Sequence, residues 1–168
     1  VGKGTILKDN PKLHIKYFSH KGYYRIVVDS HLTIPLDANV ITYEPALYPT
    51  IICTTENISS SRITLYQARG ITIIQAGKGV KVDLSRALEA LSDMGIKKIL
   101  LEGGGTLNWG FLEKDLIDEI RLTIAPWFVG GKHAVSLVDG EGFDKMSECP
   151  RYHLINVKKR ENYLTLNY

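Results

Sequence analysis

An α/β domain with a mixed sheet and helices on its faces is the fold this sequence predicts. Three observations carry it. The front half alternates short β-branched runs with segments of helical period, as parallel strands joined by crossover helices do. After Glu119 the period changes to two, with Ile120, Leu122 and Ile124 alternating with Arg121 and Thr123. Near the carboxyl terminus two strand-like runs are joined only by Arg160-Glu161-Asn162, which leaves no room for a crossover and predicts antiparallel pairing.

The elements follow in order. Val1-Gly2-Lys3-Gly4-Thr5 reads as the end of a strand entering a turn. A fold seldom starts there, so a segment upstream of this numbering is expected. Tyr24 to Asp29 and Thr50 to Thr55 read as strands. Ser59-Ser60-Ser61 can open a helix that runs toward Gly70, a suitable residue just past a helix end. Ile71 to Gln75 is a nearly continuous apolar strand of the kind buried on both faces. The clearest helix is capped by Asp83, carries Leu84, Ala87, Leu88, Leu91 and Met94 at helical spacing, and stops at Gly95. Lys98 to Leu101 is expected as a strand, followed by a helix from about Thr106 to Lys114. The last strands are expected over Tyr152 to Lys158 and Tyr163 to Tyr168.

The bulk properties narrow the function. With 168 residues the chain can bury a substantial core. A net charge of +3, with scattered Lys and Arg and no interleaved aromatics, does not argue for nucleic acid and suits an anionic small molecule. Cys53 and Cys149 form no C-x-x-C pair and no Cys/His cluster, which speaks against structural zinc and fits a reduced cytoplasmic setting. Cys53 lies in the run Ile51-Ile52-Cys53 and reads as a buried, inert thiol. His14, His20, His31, His133 and His153 are dispersed, with no pair at ligand spacing. No nucleophile elbow, P-loop lysine or transmembrane run is present.

The stretch with the most chemistry is Ile99-Leu100-Leu101-Glu102-Gly103-Gly104-Gly105-Thr106-Leu107. An apolar run ends in an acid, then three glycines, then residues that open a helix. Glycines let a ligand phosphate approach the backbone, and the first amides of a helix favour an anion. Glu102 stands at the carboxyl end of the expected strand, where ligands bind in open α/β sheets. A tight glycine turn with a solvated Glu102 is the plain alternative, and the whole string argues against it. Thr5 and Asp9 could bind a ligand or simply cap a turn with Pro11. Lys16 could hold a phosphate as a point charge or be solvated. Asp29-Ser30 closes a strand, either as a ligand site or as turn chemistry. Pro126-Trp127-Phe128-Val129-Gly130-Gly131 reads better as a loop with aromatic packing than as a ligand contact.

Taken together, these segments resemble the riboflavin-pathway reductases. The resemblance rests on Gly2-x-Gly4-Thr5 with Asp9-x-Pro11-x-Leu13, on Ile26-Val27-Val28-Asp29-Ser30 followed by Ile34-Pro35-Leu36, on Leu101-Glu102-Gly103-Gly104-Gly105-Thr106-Leu107, and on Ile124-Ala125-Pro126 with Gly130-Gly131. Asn108-Trp109-Gly110 and Val138-Asp139-Gly140-Glu141-Gly142-Phe143 look closest to the archaeal stand-alone type. The resemblance implies a dihydrofolate-reductase-like mixed sheet with helices on both faces and an antiparallel carboxyl-terminal hairpin, in a single reductase domain spanning 1–168. It also implies that the family's first strand and helix, with an Asp-Gly motif, precede this numbering. The implied assembly is a homodimer in the cytoplasm, with no nucleic acid and no membrane.

The implied reaction is NADPH-dependent reduction of 2,5-diamino-6-(ribosylamino)-4(3H)-pyrimidinone 5′-phosphate to its ribitylamino product, with hydride added to C1′. Carried over by position, Thr5, Asp9, Ser30, Gly103, Gly104, Gly105 and Thr106 contact the cofactor. Leu13, Lys16 and Glu102 face the phosphorylated pyrimidine, with the Glu102 carboxylate as the catalytic group and no metal. Thr33 stands where relatives often carry arginine, so NADH remains an alternative to NADPH. Trp127 replaces a usual lysine. Two rival readings stay open: the bacterial-type reductase acting on the deaminated 5-amino-6-(5-phosphoribosylamino)uracil, and a nucleotide-binding module without turnover.

Overall fold

The computed structural model describes residues 1–17, 22–132 and 134–168. His20 and His133 lie outside the described residues. Two compact units divide the chain, Val1–Gly104 and Gly105–Tyr168.

The first unit is built on a parallel sheet of β1 (Arg25–Val28), β2 (Thr50–Thr54) and β3 (Thr72–Gln75), in that order. Ile26 pairs with Ile51, and Ile52 with Ile73. The central strand β2 is buried along its whole length because it has a neighbour on each side. Four helices accompany the sheet: α1 (Lys3–Asp9), α2 (Asn39–Thr42), α3 (Ser60–Gln67) and α4 (Leu84–Asp93). Ile6 of α1, Val27 and Ile52 of the sheet, Val40 and Ile41 of α2 and Tyr66 of α3 share one core.

Local chemistry accounts for most of these elements. The Asp83 carboxylate accepts from the Ser85 and Arg86 amides at 3.1 and 3.3 Å and caps α4. Leu84, Ala87 and Leu91 are buried, and Gly95 takes φ +84° to end the helix. Val1 and Gly2 do run beside β1 as a strand end. The Val28 amide donates to Val1 O at 2.9 Å, and Gly2 bridges Val28 in parallel. The helix that follows at once was not legible. Two glycines lower the local helix propensity, and the burial of Ile6, 2% exposed, overrides them.

The expected strand over Lys98–Leu101 does not form a ladder among the described residues. Its composition is that of a buried strand, yet Leu100 is 78% exposed. A strand exists through paired backbone groups, and apolar side chains alone do not supply them.

The second unit holds α5 (Gly105–Leu112) and an antiparallel sheet of β4 (Arg121–Ile124), β5 (Asn156–Arg160) and β6 (Tyr163–Asn167), in the order β4-β6-β5. Leu122 pairs with Leu166, and Arg160 with Tyr163 across the two-residue turn Glu161-Asn162. Glu161 adopts φ +50°, as such a turn requires. The turn sets the register, and β5 starts four residues after the expected Tyr152 and ends two after the expected Lys158. The α/β class is therefore the one expected, with its parallel and antiparallel strands in two three-stranded sheets.

Candidate functional site

The carboxyl ends of the parallel strands form a hydrogen-bonded rim. Asp29 ends β1 with its side chain fully buried. Its carboxylate accepts from the amides of His31, Thr33 and Ile34 and from the Thr33 hydroxyl. With its lone pairs spent in this way, Asp29 shapes the turn and is not a ligand group. Ser30 is tied in as well. Its Oγ accepts from the Val82 amide at 3.1 Å, and its carbonyl accepts from the hydroxyls of Thr54 and Thr55 at 3.1 and 3.0 Å. Next along the rim, Gly77 takes φ +87°, and a Cβ there would fall 2.9 Å from Asp83 Cβ, so this close approach requires glycine.

The glycine string begins on the same unit. Gly103 and Gly104 are both left-handed, with φ +70° and +65°. Gly103 O accepts from the Gly2 amide at 3.3 Å, which sets the string against the start of α1. A Cβ on Gly104 would meet only Thr5 Oγ1, at 3.8 Å. Backbone and a threonine hydroxyl thus line an open surface, which a phosphate can approach closely. Asp9 lies one turn beyond Thr5 on α1 and is exposed. The structure therefore brings Thr5, Gly103 and Gly104 together, while Ser30 belongs to the neighbouring rim.

Glu102 is exposed and acts electrostatically on two groups. Burial lowers the pKa of the Val1 ammonium, and the Glu102 charge partly opposes that shift. Burial pushes the Tyr23 phenol up, and Glu102 adds to the rise. Tyr23 is a neighbour of Glu102 that sequence reasoning missed. Leu13 adopts φ +47° and is half-buried, with part of its side chain packed against the core and part open to solvent. Lys16 is solvent-exposed. An open cavity of about 470 Å³ is lined by Thr33, Pro35, Ser59, Arg62 and Tyr66, with Arg62 Nε donating to Leu32 O at 2.8 Å.

Gly105 and Thr106 belong to the second unit. A Cβ on Gly105 would overlap the Asp139 carboxylate, which the Ser136 hydroxyl also bonds. Asn108 Nδ2 donates to Leu137 O at 2.8 Å, and the Trp109 ring lies 4.9 Å from that of Phe143. A Cβ on Gly140 would collide with that indole, so the Asn108-Trp109 and Val138–Phe143 motifs pack as a pair. The expected aromatic packing at Trp127 and Phe128 is not found. They are 76% and 103% exposed. Among the described residues no cluster of metal-ligating side chains occurs. Among the described residues no helix is long and apolar enough to cross a membrane.

The family described as the RibD C-terminal domain matches residues 1–166. The chain is 37% identical over 164 residues to the 2,5-diamino-6-ribosylamino-4(3H)-pyrimidinone 5′-phosphate reductase of Aquifex aeolicus, covering 98% of this chain and 70% of the relative. It is 38% identical over 157 residues to the enzyme of the same name from Methanothermobacter thermautotrophicus, covering 92% and 70%. Among solved structures, Acinetobacter baumannii RibD superposes with a TM-score of 0.78 at 20% identity, covering 99% of this chain and 44% of that one. That last likeness bears on fold alone.

Proposed function

This chain belongs to the RibD C-terminal domain family, and on that premise we propose that it reduces 2,5-diamino-6-(ribosylamino)-4(3H)-pyrimidinone 5′-phosphate to the ribitylamino product in riboflavin biosynthesis. The observation that carries the reading is 37% identity over 98% of the chain to a reductase of that name. The two left-handed glycines beside Thr5 support a nicotinamide cofactor, since an open backbone surface of this kind suits a pyrophosphate.

The residues divide by role. Thr5, Asp9, Ser30, Gly103 and Gly104 hold the cofactor. Gly105 and Thr106 are assigned by family position alone. NADPH is the favoured donor, with Lys3 Nζ at 3.4 Å from Thr33 Oγ1 providing a cation where position 33 itself lacks one. When bound, the cofactor supplies a hydride. Glu102, Lys16 and Leu13 serve the substrate. The ribosyl ring opens to an iminium at C1′, its ring oxygen taking up a proton. Hydride addition at C1′ then leaves a secondary amine. The Glu102 carboxylate favours the cationic iminium over the neutral imine, or it orients the ribose hydroxyls. Lys16 pairs with the 5′-phosphate as a point charge.

The exposed apolar residues Leu154 and Ile155, just before β5, and Val157 on it suit a homodimer interface, which sedimentation velocity tests. The free thiols Cys53 and Cys149 suit a cytoplasmic enzyme. The decisive experiment incubates the protein with NADPH and the ribosylamino substrate, follows the loss of absorbance and identifies the product. Turnover only with the deaminated pyrimidine would assign the bacterial-type reaction. Binding without oxidation would make the chain a nucleotide-binding module.

A further inference from the structure

Arg25 heads an otherwise apolar strand and is 1% exposed. Among the described residues no carboxylate pairs with it. Its partners are four carbonyls instead. Nη1 donates to Lys12 O at 3.2 Å, Asn39 O at 3.4 Å and Tyr43 O at 3.0 Å, and Nη2 donates to Tyr48 O. The guanidinium also lies over the Tyr48 ring, 5.8 Å from its centroid. A buried cation is costly to desolvate, and an apolar residue of similar volume would be cheaper to place here. What the planar fork does that such a residue cannot is hold three separate segments at once.

One of those segments is Asn10–Ile15, which carries Leu13 and leads into Lys16. Its backbone is strained, with Asn10 at φ +42° and Leu13 at φ +47°. Non-glycine residues stay in that region only where their surroundings over-determine it. Here the surroundings are identifiable. Asn10 accepts two hydrogen bonds from Asn39, its Oδ1 from the amide at 2.8 Å and its carbonyl from Nδ2 at 2.7 Å. Tyr48 Oη donates to Ile15 O at 3.4 Å. His14 meets the rings of Tyr43 and Tyr48 edge-on, and Lys12 Nζ lies 4.2 Å from the Tyr43 ring centroid. Asn39, Tyr43 and Tyr48, on which the segment rests, are themselves held through their carbonyls by Arg25.

We propose that Arg25 is a positioning residue, whose carbonyl-bound guanidinium locks the strained Asn10–Ile15 segment in the conformation that presents Leu13 and Lys16 to the pyrimidine phosphate. The inference rests on the substrate-side assignment of those two residues. It separates them from the cofactor residues Thr5 and Gly104, which Arg25 does not touch. Removing the guanidinium therefore weakens substrate capture and leaves cofactor affinity alone.

The test compares the intact chain with Arg25→Met, Arg25→Lys, Tyr48→Phe and Asn39→Ala. Two readouts are taken: steady-state kinetics corrected for folded fraction, and amide hydrogen exchange. Arg25→Met should raise KM for the pyrimidine phosphate roughly tenfold or more, with the cofactor Kd within about twofold. Arg25→Lys should rescue only part of this, since a point charge cannot span four carbonyls. If Arg25→Met does not fold, Tyr48→Phe and Asn39→Ala each release one tether outside the guanidinium, and each should raise the same KM about threefold. All four should speed exchange at residues 11–16 more than at β2. An unchanged KM in the tether variants, an equal loss of cofactor affinity, or unaltered exchange at 11–16 would overturn the proposal. A wild-type chain that does not turn over the pyrimidine phosphate would instead refute the substrate reading, and the exchange data would still decide whether Arg25 positions the segment.

Discussion

Asp29 holds Thr33 through both its amide and its hydroxyl, with the hydroxyl 3.2 Å from Oδ1. The same carboxylate takes the Ile34 amide at 2.9 Å. With the His31 amide at 3.3 Å, four donors converge on one buried carboxylate, and together they hold the turn after β1. Asp29→Asn should turn one acceptor into a donor facing donors. We expect a loss of about 2–4 kcal/mol in unfolding free energy, read by urea denaturation. Asp29→Ala should cost a similar amount. A change below about 0.5 kcal/mol would show that the network is incidental.

Gly104 is constrained by its conformation more than by its neighbours. A Cβ would have ordinary room beside Thr5 Oγ1, but φ +65° is unfavourable for side chains. Gly104→Ala should cost about 1–2 kcal/mol of stability. Gly104→Asn should cost less, because asparagine tolerates the left-handed region. Both should weaken NADPH binding by roughly tenfold or more, since each puts atoms on the surface a pyrophosphate approaches. Calorimetric titration distinguishes the two effects. Unchanged binding in both variants would remove Gly104 from the cofactor site.

Much of the fold was legible in the residues. Asp83 and Gly95 bracketed α4 because caps are local chemistry, decided by side chains within a few positions. β2 was legible because a buried parallel strand needs a continuous apolar run. β3 forms where expected but is not buried on both faces: it is the edge strand, and Thr72 and Gln75 are exposed. The elements that failed depend on distant partners. Nothing near Gly2 and Gly4 announces that Ile6 will be buried against β1 and hold α1 helical. Lys98–Leu101 has a strand's composition without a ladder. In the glycine string, the left-handed backbone of Gly103 and Gly104 was legible because such a conformation favours glycine. Tyr23 was not, because its relation to Glu102 spans the chain. Arg25 left one usable signal, a cation at the head of a buried apolar strand.

Cys53 gives a pH-dependence with a definite sign. Burial pushes its thiol up to about 12, against an ordinary value of 9.0. Below pH 9 both folded and unfolded chains keep the proton, and the thiol has no effect on stability. Between about pH 9 and 12 the unfolded chain loses the proton and the folded chain keeps it, so stability falls as pH rises, by up to about 1.4 kcal/mol per pH unit from this group. The buried phenol of Tyr66 acts in the same direction at higher pH. Cys53→Ala should lower stability at neutral pH by leaving a gap in β2, yet flatten the decline between pH 9 and 10. Denaturation midpoints at three alkaline pH values check this. An unaltered slope in the variant would show that Cys53 is not the group responsible.

Glu102 offers the sharpest division between chemistry and structure. It is exposed, so its carboxylate is available to a ligand, and its charge already opposes the burial-driven lowering at the Val1 ammonium and adds to the burial-driven rise at the Tyr23 phenol. An iminium at C1′ carries positive charge that develops on the way to hydride addition. A carboxylate facing it lowers the barrier without altering how the cofactor is held. Glu102→Gln keeps the size and the hydrogen-bonding oxygen but removes the charge. Turnover should fall by a factor corresponding to about 2–4 kcal/mol, with the cofactor Kd nearly unchanged. If Glu102 only supports the turn into Gly103, the variant should melt at a lower temperature with turnover per folded molecule preserved. Kinetics on the variant, corrected for folded fraction by a thermal melt, separates these outcomes. A second signature follows from the electrostatics. Removing the carboxylate should bring the Tyr23 phenol back toward its ordinary range, because Glu102 is the larger of its charged influences. Ultraviolet difference titration reads that shift without substrate, so the charge can be shown to reach its neighbours even where the turnover assay is silent.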